Sequence, residues 1–312
     1  MKFVKTYWPL LLLIAIPVLL WIAVGLGGSV GPYAWWGLII WGGLSILLFL
    51  LSLILLFRAL IRKKSRLMTV LLAVITLVSV WPALWFFGIG QIAYPANPET
   101  VTPSLSIRSP FAEPVTVAWG GNTLEANYHV WMPFERWAYD LFAPPAVLES
   151  QNLEDYGIYG MDIIAPVAGE IVGVYENEKD HGTGLDEFDS MLGNYIFIRV
   201  KETGTYLVLG HLQYQSVEVE VGDQITEGDI IARAGNTGTS SEPHLHIHHQ
   251  LQNPNDVLMT AQGLPLYFRD GTDIFMPEGG GDIATDGTRQ PVGDTLLPPV
   301  KDGSESSAKI TE

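Results

Sequence analysis

The 312-residue chain contains no cysteine. No disulfide framework can brace it, and any metal site must be built from histidine and carboxylate ligands. Acid is missing from the first part altogether: no Asp or Glu precedes Glu99. All 33 acidic residues come later, against ten basic ones, so the chain beyond residue 90 carries a formal charge of about −23. That balance excludes nucleic acid as a partner, because its phosphates would be repelled. The later part has no long amphipathic helical pattern and no H-E-x-x-H segment, which excludes a thermolysin-like zinc helix. It also has no lysine between Lys201 and Lys301. A carrier domain of the biotinyl or lipoyl type, which "VEVGDQITEGDIIARAG" otherwise suggests, needs a lysine at a hairpin tip, so that reading fails.

What the first part does contain is apolar. Residues 7–26, 34–57 and 67–87 are three runs without a charged side chain. At a rise of about 1.5 Å per residue, each is long enough as a helix to cross a hydrocarbon core about 30 Å thick. A buried helical core of a soluble protein would need a polar face, which these runs lack. The first run exceeds the core of a signal peptide and has no clear small-residue cleavage site, so it is expected to be retained. Lys2 and Lys5 precede the first run, and Arg58, Arg62, Lys63, Lys64 and Arg66 separate the second from the third. Three spans put those segments on one side, and the positive-inside rule makes it the cytoplasm. The expected protein is a multi-pass protein of the cytoplasmic membrane with a cytoplasmic N-terminus and an acidic extracytoplasmic domain.

The remainder divides by composition. Residues 91–105 read as an extended linker rich in Pro, Asn and Thr, residues 106–300 as a compact domain, and residues 301–312 as a disordered polar tail. Within the domain, "EPVTVAWGG" and "GNYIFIRVKETGTYLVLGHL" give β-rich runs ended by Gly-Gly and Thr-Gly turns. The expected fold class is three transmembrane α-helices followed by an all-β, antiparallel domain with long loops at 143–159 and 176–192.

The histidines concentrate the chemistry. "SEPHLHIHHQ" holds four of the chain's seven within six residues. On a strand, His244, His246 and His248 share one face and His249 takes the other. An H-x-H pair places two imidazoles beside one metal, but needs further ligands from elsewhere.

The segment "YLVLGHLQYQSVEVEVGDQITEGDIIARAGNTGTSSEPHLHIH" resembles the C-terminal half of the lysostaphin/LytM-type zinc endopeptidases, with His211, Gly235-Asn236-Thr237-Gly238 and His244-Leu245-His246 in the family's order. Upstream, "YGIYGMDIIAPVAGEIVGVYE" and "GNYIFIRV" resemble further strands of that family, whose fold is the duplicated hybrid motif. The resemblance implies that His246 is a zinc ligand and that His211 and His244 are catalytic histidines flanking the metal-bound water. Three protein ligands would leave zinc an open position for chemistry.

The family's first ligand pair, H-x-x-x-D, is not present in that form. Four residues before Asp162 stands Ile158, and four before Asp140 stands Arg136, neither a ligand. "NYHVWMPFERWAYDLF" is similar to a variant subgroup in which Asn-x-His precedes an aromatic-Ala-x-Asp strand. On that resemblance His129 and Asp140 complete the metal set with His246, and Asp140 is favoured over Asp162. His181, in an acidic loop, is the rival first ligand, with a solvated loop histidine as its plainer reading. His248 is expected as a groove residue or a support beside the site, and His249 as structural.

The function implied is a membrane-anchored zinc metalloendopeptidase that cuts peptide bonds of peptidoglycan outside the cytoplasmic membrane, with Zn2+ as cofactor. Its partners would be peptidoglycan peptides, the bilayer, and possible envelope proteins. The alternative is an inactive domain of the same fold that binds or regulates an envelope partner. A sugar-transport phosphocarrier, related in strand pattern, would face the cytoplasm, the wrong side.

Overall fold

The computed structural model describes residues 2–63, 66–90, 93–146, 150–184, 188–271, 273–280 and 291–298. The chain forms two compact units, residues 1–96 with 259–262, and residues 97–258 with 263–312. The expected disordered tail, residues 301–312, lies outside the described residues.

The first unit contains α1 (Lys2–Leu26), α2 (Gly31–Ile61) and α3 (Leu67–Ser79). Three stretches, Tyr7–Leu26, Gly31–Ile61 and Leu67–Phe87, are long and apolar enough to cross a membrane. The third is not one α-helix. The α-helix ends at Ser79 and a 3-10 helix, Trp81–Phe87, continues it. Pro82 causes the change, since it has no amide hydrogen to donate and its ring crowds the preceding turn. Ser52 donates to the Phe49 carbonyl at 2.6 Å and Thr76 to that of Leu72 at 2.7 Å, so neither of these two hydroxyls is left unpaired inside its apolar helix. Residue 42 is a glycine because α2 touches the Pro82 turn there: a Cβ would lie 2.6 Å from the Ala83 amide nitrogen.

The second unit is β throughout its described residues, apart from short 3-10 turns. Its strands are β1 (Leu105–Ile107), β2 (Val115–Trp119), β3 (Tyr139–Phe142), β4 (Asp162–Ile164), β5 (Gly169–Tyr175), β6 (Asn194–Val200), β7 (Tyr206–Leu212), β8 (Gln224–Ile225), β9 (Ile230–Arg233), β10 (Leu245–Gln250), β11 (Leu266–Asp270), β12 (Asp273–Phe275) and β13 (Thr295–Leu296). Eight of them form one sheet in the order β13-β2-β3-β10-β7-β6-β5-β8, beside a three-stranded sheet β1-β11-β12 and a pair β4-β9. All pairings are antiparallel except β1 with β11.

The centre of the large sheet positions the site. Tyr139 and Leu141 of β3, Leu245 and Ile247 of β10, and Leu207 and Leu209 of β7 all enter the main core. The two-residue side-chain period therefore puts Asp140, His246, His248 and Gln250 on the opposite face. His246 pairs across the ladder with Asp140 on one side and Gly210 on the other. Strict alternation would send His211 into the core behind Leu207 and Leu209. Instead β7 bulges: Asn194 and Ile196 of β6 pair with Leu212 and Leu209, so that Gly210 and His211 stand against the single residue Tyr195. His211 takes φ 61°, a left-handed conformation rare for a residue with a Cβ, and Leu212 rather than His211 fills the core.

Candidate metal centre

Three buried side chains, His129, Asp140 and His246, bring ligand atoms within 4.8 Å of one another. They come from separate elements: His129 from a 3-10 turn (Tyr128–Trp131), Asp140 from β3 and His246 from β10. Asp140 Oδ1 lies 3.0 Å from His246 Nδ1 and 3.7 Å from His244 Nε2, while Oδ2 lies 3.5 Å from His129 Nε2 and accepts a 3.0 Å hydrogen bond from the Tyr128 hydroxyl. Burial alone would raise the Asp140 pKa, but His129, His244 and His246 outweigh it and hold the carboxyl below its ordinary range. It is an anion at neutral pH.

The backbone fixes which nitrogen of each ring is available. The Asn127 amide nitrogen donates to the carbonyls of Gly121 (3.0 Å) and Ala138 (3.2 Å), so its oxygen faces His129 Nδ1 at 2.9 Å. That oxygen can only accept, so Nδ1 carries the proton and Nε2 turns a lone pair toward Asp140. His129 stays neutral, because burial drives its pKa down to about 3 against the opposing pull of Asp140. His244 Nδ1 donates to the Glu242 carbonyl at 2.8 Å, and His211 Nδ1 donates to the Thr237 carbonyl at 2.7 Å. Both therefore present Nε2 lone pairs, and burial lowers both pKa values. Their rings are 4.6 Å apart between centroids, and that of His211 is 5.9 Å from that of His246.

Two acids hold the turn that carries the Thr237 carbonyl. Glu178 accepts from the Gly238 amide at 2.8 Å, and Asp180 accepts from the amides of Asn236 (2.6 Å) and Tyr214 (2.8 Å). They also line a cavity of about 510 Å3. Their carboxylates are occupied by these amides, so that cavity has no free ligand set from them. The cleft over the histidines has a volume of about 330 Å3 and an apolar wall of Trp131, Met132, Met191 and Leu192.

The rival residues lie elsewhere. Asp162 forms an exposed ion pair with Arg233 (3.1 Å) at the edge of the β4-β9 pair. His181 is not a free loop histidine: Nδ1 lies 2.8 Å from the Gly182 carbonyl and Nε2 2.9 Å from that of Gly238. His249 faces away from the site, bonded to Thr205 Oγ1 (2.6 Å) and close to the Pro265 carbonyl (3.2 Å). His248 is buried against His246, 2.9 Å from ring nitrogen to ring nitrogen. Sequence reasoning missed Tyr128 and Glu135. Glu135 Oε1 lies 3.8 Å from His246 Nε2, and burial lifts its carboxyl to about 7 against the pull of His246. No motif marks it.

The donor set fits a cation such as zinc: two imidazole nitrogens and a carboxylate, all borderline or hard ligands. Asp140 Oδ1 and His246 Nδ1 lie 3.0 Å apart, a distance that either a hydrogen bond from Nδ1–H or a shared cation accounts for. The His246 pKa is raised because Asp140 and Glu135 together outweigh its burial.

Residues 155–257 match the sequence model of peptidase family M23. The match includes His211, His244 and His246 and begins downstream of His129 and Asp140. A curated relative, an uncharacterized metalloprotease of Buchnera aphidicola subsp. Baizongia pistaciae (strain Bp), is 29% identical over 106 residues, which is 31% of this chain and 25% of the relative. The chain thus spans about a quarter of that relative's length. Among solved structures, the catalytic domain of the antimicrobial peptidase lysostaphin from Staphylococcus simulans is similar at 25% identity over 40% of this chain and 73% of that one, with a TM-score of 0.26. A mutant catalytic domain of the prophage-encoded M23 protein EnpA from Enterococcus faecalis is similar at 21% identity over 41% and 73%, with a TM-score of 0.28.

Proposed function

From the premise that residues 155–257 are a peptidase family M23 domain, we propose that this chain is a membrane-anchored zinc endopeptidase that hydrolyses peptide bonds of peptidoglycan. The observation that carries the reading is the convergence of His129, Asp140 and His246 beside two histidines whose Nε2 lone pairs face the same space. The basic loop and N-terminus support a domain outside the cytoplasmic membrane, where the cell-wall peptides are.

In this reading His129 Nε2, an Asp140 oxygen and His246 Nδ1 hold the metal. Bound there, zinc supplies Lewis acidity toward water and an amide carbonyl. The rest is done by the chain's own groups. His244 and His211, both neutral at neutral pH, can take a proton at Nε2 from the attacking water. Each keeps Nδ1–H on a backbone carbonyl, so neither ring can turn away as its charge changes. Amide cleavage needs a proton on the departing nitrogen, and the same imidazolium returns it. The Tyr128 hydroxyl, tied to Asp140 Oδ2, keeps that carboxylate from rotating. The apolar wall of the cleft suits a substrate backbone with small or apolar side chains, and it excludes water from around the reacting carbonyl.

The test uses the full chain in detergent or nanodiscs with purified peptidoglycan, alongside His246→Ala. One zinc per chain and new amino termini among the released peptides, both lost in His246→Ala, are expected. A metal-free wild type refutes the reading. Bound zinc with intact peptidoglycan replaces it with a domain that binds an envelope partner.

A further inference from the structure

We propose that His248 and Gln250 are positioning residues that hold His246 with its proton on Nε2, so that Nδ1 is the atom offered to the metal. The inference rests on the reading of His246 as a ligand and adds what orients it.

The direction of the hydrogen bonds can be worked out from the far end inward. Gln250 donates its amide nitrogen to two carbonyls, Gln252 at 2.7 Å and Val257 at 3.3 Å. Carbonyls only accept, so the amide cannot flip and its oxygen faces His248 Nε2 at 3.0 Å. That oxygen also only accepts, so the His248 proton is on Nε2. His248 is buried, and no carboxylate oxygen lies within 4 Å of its ring nitrogens among the described residues to balance a second proton, so with its proton on Nε2 it offers Nδ1 as the acceptor. The His246 Nε2 atom, 2.9 Å away, must therefore be the donor. A neutral His246 so held has its remaining lone pair on Nδ1, the atom 3.0 Å from Asp140.

One strand supplies this whole line. His246, His248 and Gln250 are successive same-face residues of β10, and the segment reaching Gln252 and Val257 anchors its end. Phe134 packs edge-on against the His248 ring at 6.2 Å between centroids. A metal-ligating imidazole commonly donates its other N–H to a carboxylate, carbonyl or water. Here a second imidazole takes that place, with an amide behind it to fix its tautomer.

The experiment uses the full chain with His248→Asn and His248→Leu. Asparagine puts an amide oxygen near the position of Nδ1 and keeps an acceptor; leucine keeps the bulk and removes it. Zinc affinity by chelator competition should fall about 10- to 100-fold in the leucine variant and recover most of that loss in the asparagine variant. In the metal-free chain with 15N-labelled histidine, a solvent-protected His246 Nε2 proton should appear in the wild type and the asparagine variant and vanish in the leucine variant. This second readout needs neither metal nor substrate, so it separates failure of the relay from failure of the zinc peptidase reading. Wild-type zinc affinity in His248→Leu, equal losses in both variants, or no protected His246 Nε2 proton in the wild type overturns the proposal. So does a second zinc per chain that depends on His248, which would make Glu135, His246 and His248 a ligand set instead.

Discussion

Replacing Glu135 by glutamine should stabilise the metal-free β domain, and by more at alkaline than at acidic pH. Burial raises the Glu135 carboxyl from 4.5 to about 7, although His246 opposes the rise. An acid whose folded pKa is raised contributes its stability below the unfolded value, and that contribution is lost as pH rises through the folded value. From about pH 5 to about pH 8, ionising this one group costs the folded state about 2.5 kcal/mol relative to the unfolded chain. Glutamine mimics the neutral acid and escapes that cost. His246, whose pKa Glu135 helps to raise, also titrates differently in the variant, and the remaining groups are common to both proteins and largely cancel in the difference. For a domain of about 200 residues, 1 kcal/mol moves the melting temperature by about 2–4 °C. The advantage of Glu135→Gln over wild type should thus grow by about 5–10 °C between those pH values. The assay is thermal unfolding of the chelator-stripped chain followed by near-UV circular dichroism. A melting-temperature difference that is flat across pH, or that shrinks toward pH 8, refutes the reasoning.

Other consequences follow from the same geometry. Asn127→Ala frees the His129 ring and leaves the Gly121 and Ala138 carbonyls without their donor; zinc affinity by chelator competition should drop about 10- to 100-fold. Because His211 sits at φ 61°, His211→Gly should be about 1–2 kcal/mol more stable than His211→Ala in urea unfolding. Both should lower peptide cleavage by about 10²- to 10⁴-fold, and equal stability of the two would contradict the strained-bulge account. The absence of cysteine makes sidedness directly readable. A membrane-impermeant maleimide should label Ser29→Cys in intact cells but Arg62→Cys only after permeabilisation, and the reverse pattern would invert the proposed topology.

Much of the fold is legible in the sequence because two periodicities dominate it. Uncharged runs announce the three helices, and alternating residues around Thr-Gly and Gly-Gly turns announce β2, β6 and β7. Pro82 also stands in the third run, but composition alone cannot tell an α-helix from a 3-10 continuation. Of the candidate site, the H-x-H strand follows from alternation, while the Asp140 strand follows only from the resemblance to the variant subgroup. The bulge at His211 does not, because it depends on which residue of β7 skips its partner in β6. Glu135 was invisible because its approach to His246 depends on how the 128–138 turn folds over the sheet, and no residue pattern encodes that approach. The supporting role of His248 needed the orientation of the Gln250 amide, which only the Gln252 and Val257 carbonyls determine.

The central claim is that His129, Asp140 and His246 hold one zinc ion. Zinc K-edge absorption on the full chain tests it most directly. The account predicts one zinc per chain with imidazole scattering and nitrogen or oxygen neighbours at about 2.0–2.2 Å, and loss of that signal in Asp140→Ala. A chain that holds no zinc, or a zinc spectrum without histidine scattering that survives Asp140→Ala, would contradict it.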